Sequence, residues 1–138
     1  MSTLNVYLVF DGNTREAMTY YKEAIGGDLK IMTVGESPMK DHMPPEMHGQ
    51  VMHALLQTPS FTLMASDGMM GKPPVNGDSV ALAFGVTSND DAENVFAKLS
   101  DGGNVTMPIQ ETFWAYRYGQ LTDKFGINWM VNYNKPMP

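Results

Sequence analysis

The sequence predicts an α+β fold made of two β-α-β-β-β modules in tandem, and three observations support this. A shift of 76 residues superimposes the apolar strand pattern at residues 5–10 on a second one at residues 81–86. The same shift superimposes Gly26-Gly27 on Gly102-Gly103. Each copy has a helical pattern before its glycine pair and three strand patterns after it. One continuous sheet is the alternative, but the matched glycine spacing favours two modules.

The first module is predicted to begin its helix after Asn13, with Glu16 three residues on, as in a capping box. Gly26-Gly27 ends the helix, because glycine adopts the left-handed C-terminal conformation at little cost. A Thr58-Pro59-Ser60 turn separates the last two strands of the module. The strands that follow the helix are predicted at residues 29–34, 51–57 and 61–65.

The second module repeats this order. Ser88 or Asn89 caps its helix, and Asp90 and Asp91 favour the positive helix end. Its later strands are predicted at residues 105–109, 112–121 and 128–133. Module one is predicted to span about residues 1–67, the linker about 68–78, and module two about 79–138.

Composition indicates a globular domain and disfavours several partners. Hydrophobic residues make up 43% of the chain and charged residues 17%. No apolar run approaches the roughly 20 residues that cross a bilayer, and the N-terminus has no signal-peptide pattern. Nine basic against 15 acidic side chains give a net charge of −6, which disfavours nucleic acid and anionic membranes. Cysteine is absent, which excludes disulfides and thiolate sites, and a cytoplasmic location is expected.

Two stretches resemble a known family. They are YLVFDGNTREAMTYYKEAIGG at residues 7–27 and QETFWAYRYGQLTDKFGINWM at residues 110–130. Both are similar to the PhnB-like branch of the vicinal oxygen chelate superfamily, which contains glyoxalases, bleomycin-resistance proteins and dioxygenases. Residues 51–55 and 63–67 also fit this branch. The resemblance implies a mixed sheet curled into a cup, two modules that together enclose a site, and a homodimer.

This branch is often labelled a demethylubiquinone methyltransferase, and the residues do not support that label. A site for S-adenosylmethionine usually has a strand, a glycine-rich turn and then a helix. Here both glycine pairs end helices instead. Methyl transfer is therefore not expected.

The metal centre of the superfamily is not expected either. The resemblance implies four ligands, usually His and Glu, from the first and last strand of each module. The corresponding positions here hold Val6, Met64, Ala81 and Met130, and their immediate neighbours include no His, Asp or Glu. Thioether and aliphatic side chains do not hold a hard or borderline divalent cation. The sequence therefore predicts no metal and no other cofactor.

A divalent metal elsewhere remains a disfavoured alternative. Residues 35–49, which the second module lacks, are rich in Pro, Met and His. The available ligand types are His42, His48, His53, Glu36, Asp41 and Glu46, and their spacing matches no metal-binding rule. The expected state is a solvated loop.

Two residues are candidates for acid–base catalysis. His53 lies on a predicted strand with Val51 and Leu55 on its face, and histidine titrates near neutral pH. If that face is concave, His53 points into the cup; the alternative is a structural histidine. Glu111 is the candidate general base because it precedes an aromatic strand expected to border the cup. A surface glutamate is the alternative.

The strand pattern at residues 111–120 predicts a ligand wall. Alternation places one set of side chains on one face: Thr112, Trp114, Tyr116 and Tyr118. Aromatic rings with hydroxyls suit a small-molecule site, although a core or a dimer interface would look the same. Arg117 either clamps an anionic group of the ligand or pairs with Glu111 or another acid on a neighbouring strand. The predicted ligand-binding residues are Tyr7, Met64, Trp114, Tyr116, Arg117, Tyr118 and Trp129.

Residues 35–49 and 67–78 are predicted to act as lids over the open side of the fold. Their methionines, Met43, Met47, Met69 and Met70, suit an adaptable ligand edge or a subunit interface. Together these features predict a metal-independent, homodimeric small-molecule-binding protein. The alternative is a lyase, isomerase or dioxygenase that uses His53 and Glu111 or a non-standard metal site. A structural partner of a larger complex is a third possibility.

Overall fold

The computed structural model describes residues 2–68 and 73–136 and divides into two compact units, Met1–Val75 and Asn76–Pro138. The first unit contains β1 (Val6–Phe10), α1 (Thr14–Ile25), β2 (Asp28–Thr33), β3 (Val51–Gln57) and β4 (Thr62–Asp67). The second contains β5 (Leu82–Gly85), α2 (Asn89–Ser100), β6 (Asn104–Gln110), β7 (Ala115–Thr122) and β8 (Asn128–Asn134). The predicted β-α-β-β-β order is confirmed in both units.

Each unit has its own four-stranded mixed sheet. The strand orders are β1-β4-β3-β2 and β5-β8-β7-β6, so the second unit repeats the topology of the first. In each sheet the first strand pairs in parallel with the last, and the remaining pairs are antiparallel. Two separate sheets with one helix each confirm tandem modules and exclude the alternative of one continuous sheet.

The helix of each unit packs on one face of its sheet. In the first unit, the buried residues of α1 lie against alternate residues of β3 and β4: Ala17, Met18 and Tyr21 against Ala54, Leu56, Leu63 and Ala65. In the second unit, the buried residues of α2 lie against β7 and β8: Ala92, Phe96 and Leu99 against Leu121, Trp129 and Val131. Because side chains alternate along a strand, the residues between these point to the opposite side, which we call the open face.

The start of α1 differs from the expected capping box. Asn13 makes no side-chain cap hydrogen bond. Instead the buried carboxylate of Asp67 accepts hydrogen bonds from the backbone N–H and hydroxyl of Thr14, at 3.1 and 2.7 Å. Its other oxygen accepts from the backbone N–H of Val51 at 2.9 Å. One carboxylate at the end of β4 thus joins the first turn of α1 to the start of β3, and it also favours the positive helix end.

The other helix ends follow the sequence expectations more closely. Ser88 caps α2, since its side-chain oxygen accepts a hydrogen bond from the Asp91 N–H at 3.0 Å. Gly26 follows α1 with φ +81° and donates its N–H to the Lys22 carbonyl oxygen at 2.9 Å. Most strand ends differ from the predictions by one or two residues, and β7 begins three residues later than predicted.

The segment at residues 35–49 has its own local structure. Short 3-10 turns form at Val34–Glu36, Pro38–His42 and Pro45–Met47. The Nε2 atom of His48 lies 2.9 Å from the Lys40 carbonyl oxygen and 3.0 Å from that of Met43. Of the other predicted lid, Met69 and Met70 lie outside the described residues.

The helices of the described residues are too short and too polar to cross a membrane.

Gly119 allows α2 to approach the sheet of the second unit. A Cβ atom at this position would lie 2.6 Å from Cε1 of Phe96 and 3.0 Å from the Cα atom of Ile109. The first distance is shorter than real contacts and the second is unusually tight, so a side chain here displaces Phe96 and crowds the β6 backbone. Gly119 is therefore a packing requirement of the second unit.

We expect Gly119→Ala to lower the free energy of unfolding by about 1–3 kcal/mol, because overpacking displaces Phe96 and the β6 backbone. Urea unfolding followed by circular dichroism measures this change. Gly85→Ala is the matched control, since the nearest atom to its added Cβ is Nδ2 of Asn132 at 3.9 Å. Equal stability of the two variants would contradict the close-packing account.

Candidate functional site

The strand register shows which residues of the first and last strands of each unit are neighbours. In the first unit Tyr7 pairs with Met64, and in the second Ala83 pairs with Met130. Val6, the position assigned from the resemblance, pairs with Leu63, and Ala81 precedes β5. In the described part of the chain, no cluster of three or more His, Asp or Glu side chains could hold a metal ion.

His53 and Tyr7 come together on the open face of the first unit. Their rings are stacked, with centroids 6.2 Å apart and planes 8° from parallel. The Tyr7 hydroxyl donates a hydrogen bond to the Ser66 hydroxyl oxygen at 2.9 Å. Val51 does not share this face as predicted, because a register shift opposite Met32 and Thr33 leaves it 2% exposed in the core. The open face of this unit therefore carries the His53 imidazole and the Tyr7 phenol next to Met64.

Arg117 pairs with an acid on the helix and not on a strand. Its Nε atom lies 3.1 Å from Oε1 of Glu93 on α2, and its Nη1 donates to the Tyr116 carbonyl oxygen at 2.7 Å. The predicted strand partner is therefore wrong. These two contacts hold the Arg117 guanidinium on the helix side of the sheet.

Glu111 lies before β7, outside the strand, and is paired with a lysine. Its Oε2 atom lies 2.8 Å from Nζ of Lys135. The hydrogen bond from Lys135 lowers the pKa of the Glu111 carboxyl, and the charges of Lys135 and then Arg117 lower it further. A carboxylate with a lowered pKa is a weaker base at neutral pH than an unpaired one, which weakens the case for general-base catalysis here.

The aromatic side chains at residues 113–118 do not form one row. Thr112 closes a turn with Ala115, so β7 starts at Ala115, and a register shift between Ala115 and Arg117 breaks the alternation. Trp114 packs edge-on against Tyr118 with centroids 5.3 Å apart, whereas Tyr116 contacts Tyr133 at 4.7 Å. The prediction of a single aromatic face is wrong, and the rings form two separate groups.

A pocket of about 270 Å³ opens on the sheet of the second unit. Its polar lining residues are Asp78, Thr106, Gln120, Thr122 and Asn128. Its apolar lining residues are Ala81, Leu121, Trp129 and Met130. Trp129 and Leu121 are almost wholly buried against α2, at 3% and 1% exposure, so the apolar side chains on the open side of the pocket are Ala81 and Met130.

Hydrogen bonds fix the pocket's polar side chains. The Tyr118 hydroxyl donates to Sδ of Met130 at 3.4 Å and accepts from Nε2 of Gln120 at 2.8 Å. The Thr122 hydroxyl donates to Oδ1 of Asn128 at 2.8 Å. Nδ2 of Asn128 donates in turn to the carbonyl oxygens of Gly77 and Val80, at 2.7 and 3.0 Å. These bonds hold the segment before β5 at the mouth of the pocket.

The sequence prediction found part of this site. Of the predicted ligand-binding residues, Trp129 is in the lining and Tyr118 hydrogen-bonds two lining side chains, but Trp129 donates its indole N–H to the buried Asp123 at 2.8 Å and belongs mainly to the core. Met130 was named from the sequence at a metal position and not as a ligand-binding residue. Gln120 was missed, although continuing the alternation two residues beyond Tyr118 indicates it. No local pattern indicates Asp78 or Thr106, because tertiary folding brings them to the pocket.

Comparison with known proteins gives a consistent result. The family model described as 3-demethylubiquinone-9 3-methyltransferase matches residues 2–132. Protein YjdN of Escherichia coli K12 is 32% identical over 145 residues, covering 98% of this chain and 97% of the relative. The crystal structure of PA1353 from Pseudomonas aeruginosa is 38% identical with a TM-score of 0.83, covering 97% of this chain and 100% of that one.

A more distant structure identifies the fold. It is a glyoxylase/bleomycin resistance protein/dioxygenase domain from Frankia sp. EAN1pec, with 15% identity and a TM-score of 0.69. The match covers 98% of each chain. At this identity the likeness concerns the fold alone, and it agrees with the mixed sheets of the two units.

We expect Lys135→Gln to raise the pKa of Glu111 towards the ordinary glutamate value, which a carboxyl-carbon NMR titration measures directly. Because the folded-state pKa is lowered, the ion pair stabilises the fold fully above the ordinary value, and this contribution is lost as pH falls through the lowered pKa. Lys22→Gln, at the exposed end of α1, is the control. An unchanged Glu111 midpoint in Lys135→Gln would show that the ion pair does not set this pKa.

Proposed function

Because the chain belongs to the 3-demethylubiquinone-9 3-methyltransferase family, a PhnB-like branch of the vicinal oxygen chelate superfamily, we propose that it binds a small molecule without a metal ion. The observation that carries the proposal is the pocket on the open face of the second unit. Ligand sites are concave and combine apolar surface with oriented polar groups, and this pocket has both.

The size of the pocket suits a compact ligand. A cavity of about 150 Å³ holds a benzene-sized molecule, so 270 Å³ accommodates a body of roughly one to two rings. Met130 and Ala81 offer apolar contact, and the Gln120 side chain donates a hydrogen bond to Tyr118 that holds its orientation. A preorganised polar group of this kind lowers the cost of binding, since little side-chain freedom remains to be lost.

The chemistry of the donor set supports binding without a metal. The resemblance assigns Met64 and Met130 to two of the superfamily's ligand positions, and their strand partners are Tyr7 and Ala83. A thioether is a soft ligand, and a methyl side chain offers none, so neither suits Zn, Mn or Fe(II). The Met130 sulfur already accepts a hydrogen bond from Tyr118.

We propose that the chain does not transfer methyl groups, in spite of the family's description. Sites for S-adenosylmethionine usually lie at a glycine-rich turn that leads from a strand into a helix. Here Gly26 follows the end of α1, and Gly102 follows the end of α2. The sheets are mixed and four-stranded, unlike the parallel sheet that such a turn usually serves.

An enzyme of the lyase or isomerase type is the second candidate, and one observation favours it. His53 is half-buried on the open face of the first unit, with its ring stacked on Tyr7. An imidazole in that position has the chemistry of a general acid–base group. Turnover of a bound ligand that is lost in His53→Gln would establish this candidate.

The proposal includes a homodimer. The superfamily resemblance implies one, and the exposed aromatic pair Phe113 and Trp114, at 89% and 42% exposure, offers apolar surface for it. Sedimentation of the full chain measures the mass and tests this part of the proposal.

We expect Ala81→Phe to fill the pocket and abolish ligand binding, because Ala81 lines the mouth and a phenyl group occupies much of the volume. The measurement is thermal shift with a set of one- and two-ring fragments, since a ligand that binds only the folded state raises Tm. Val80→Phe is the control, because Val80 is 71% exposed and outside the lining. Fragments that stabilise Ala81→Phe as well as wild type would contradict the assignment of the site.

A further inference from the structure

We propose that the pocket of the second unit selects a small organic ammonium ion, that is, a protonated amine on a compact apolar body. This inference rests on the proposed function, since it specifies the ligand of the same pocket. Three features of the lining support it: the sign of the charge, the free hydrogen-bonding groups and the apolar side chains of Ala81 and Met130.

The formal charge in the lining is negative. Asp78 is the one ionised side chain among the residues that line the pocket in the described part of the chain. Across residues 2–68 and 73–136 no basic group forms a salt bridge with Asp78, so its charge is available to a ligand. The chain as a whole carries −6, which further favours a cation over an anion near this surface.

The hydrogen-bond directions leave an acceptor free on Gln120. The Tyr118 hydroxyl donates to Sδ of Met130 and accepts a hydrogen bond from Nε2 of Gln120. The Gln120 side chain thus presents its NH₂ group to Tyr118. Its Oε1 atom then has no hydrogen-bond partner among the described residues and remains available to a donor.

The neighbouring amide and hydroxyl add no free donor. Both Nδ2 hydrogens of Asn128 are used by the carbonyl oxygens of Gly77 and Val80, and the Thr122 proton is used by Asn128. One Nε2 hydrogen of Gln120 and the Thr106 hydroxyl also belong to the lining. The acceptors that the pocket offers are the Asp78 carboxylate and the Gln120 amide oxygen. A ligand that brings N–H donors and a positive charge complements both, whereas a carboxylate or phosphate ligand meets Asp78 as a like charge.

The test compares three probes of one shape: benzylammonium, benzyl alcohol and benzoate. Each is titrated into the ¹⁵N-labelled full chain, and shifts at the Gln120 side chain and the Thr106 backbone report the pocket. We expect benzylammonium to bind most tightly and benzoate most weakly. We also expect the benzylammonium affinity to fall as salt rises, because the carboxylate is exposed.

Two variants separate charge from shape. Asp78→Asn keeps the size of the side chain and should weaken benzylammonium by about fivefold, the upper range for an exposed ion pair, without changing benzyl alcohol. Glu23→Gln removes the same charge from the exposed side of α1 and should change neither.

The possible outcomes distinguish failure of the ammonium inference from failure of the proposed small-molecule binding. Benzoate binding as tightly as benzylammonium at the same resonances would overturn the ammonium inference and leave small-molecule binding in place. An equal loss of benzylammonium affinity in Glu23→Gln would also overturn it, because the net negative charge of the chain, and not Asp78, would then explain the binding. Failure of all three probes to shift the pocket resonances would overturn both.

Discussion

The parallel pairing of the first strand with the last strand in each unit is the constraint on which the rest of the structure depends. Parallel neighbours need a crossover connection, and the sequence places a helix there, which then packs on one face of the sheet. The opposite, open face of each sheet is not covered by the helix of its own unit and carries the side chains of the candidate sites. The same pairing sets Tyr7 beside Met64 and Ala83 beside Met130, so it also decides the chemistry of those positions.

The two open faces share thioethers and phenols but differ in what surrounds them. The first unit combines Tyr7, His53 and Ser66, which suits proton transfer or stacking. In the second, a chain of hydrogen bonds from Gln120 through Tyr118 ends on the Met130 sulfur beside a pocket. The Met130 thioether already accepts a hydrogen bond, and a thioether is a poor ligand for a hard cation.

The sequence predicted the fold well because its signals are local and duplicated. The glycine pairs, the helical stripes and the Ser88 cap each depend on nearby residues, and all appear in the structure. The errors came from long-range interactions. Asp67 replaced the Asn13 cap from 53 residues away, and a register shift in β7 divided the predicted aromatic row. Arg117 reached an acid on α2 for the same reason, since strand alternation does not say which element covers a face.

Metal content is the most direct test of a site that works without a metal ion. Elemental mass spectrometry is applied to untagged protein from cells supplied with Zn, Ni, Mn and Fe. The account predicts less than about a tenth of an equivalent of each metal, because Met64, Met130, Tyr7 and Ala83 supply no suitable ligand set. Close to one equivalent of a single metal would contradict it.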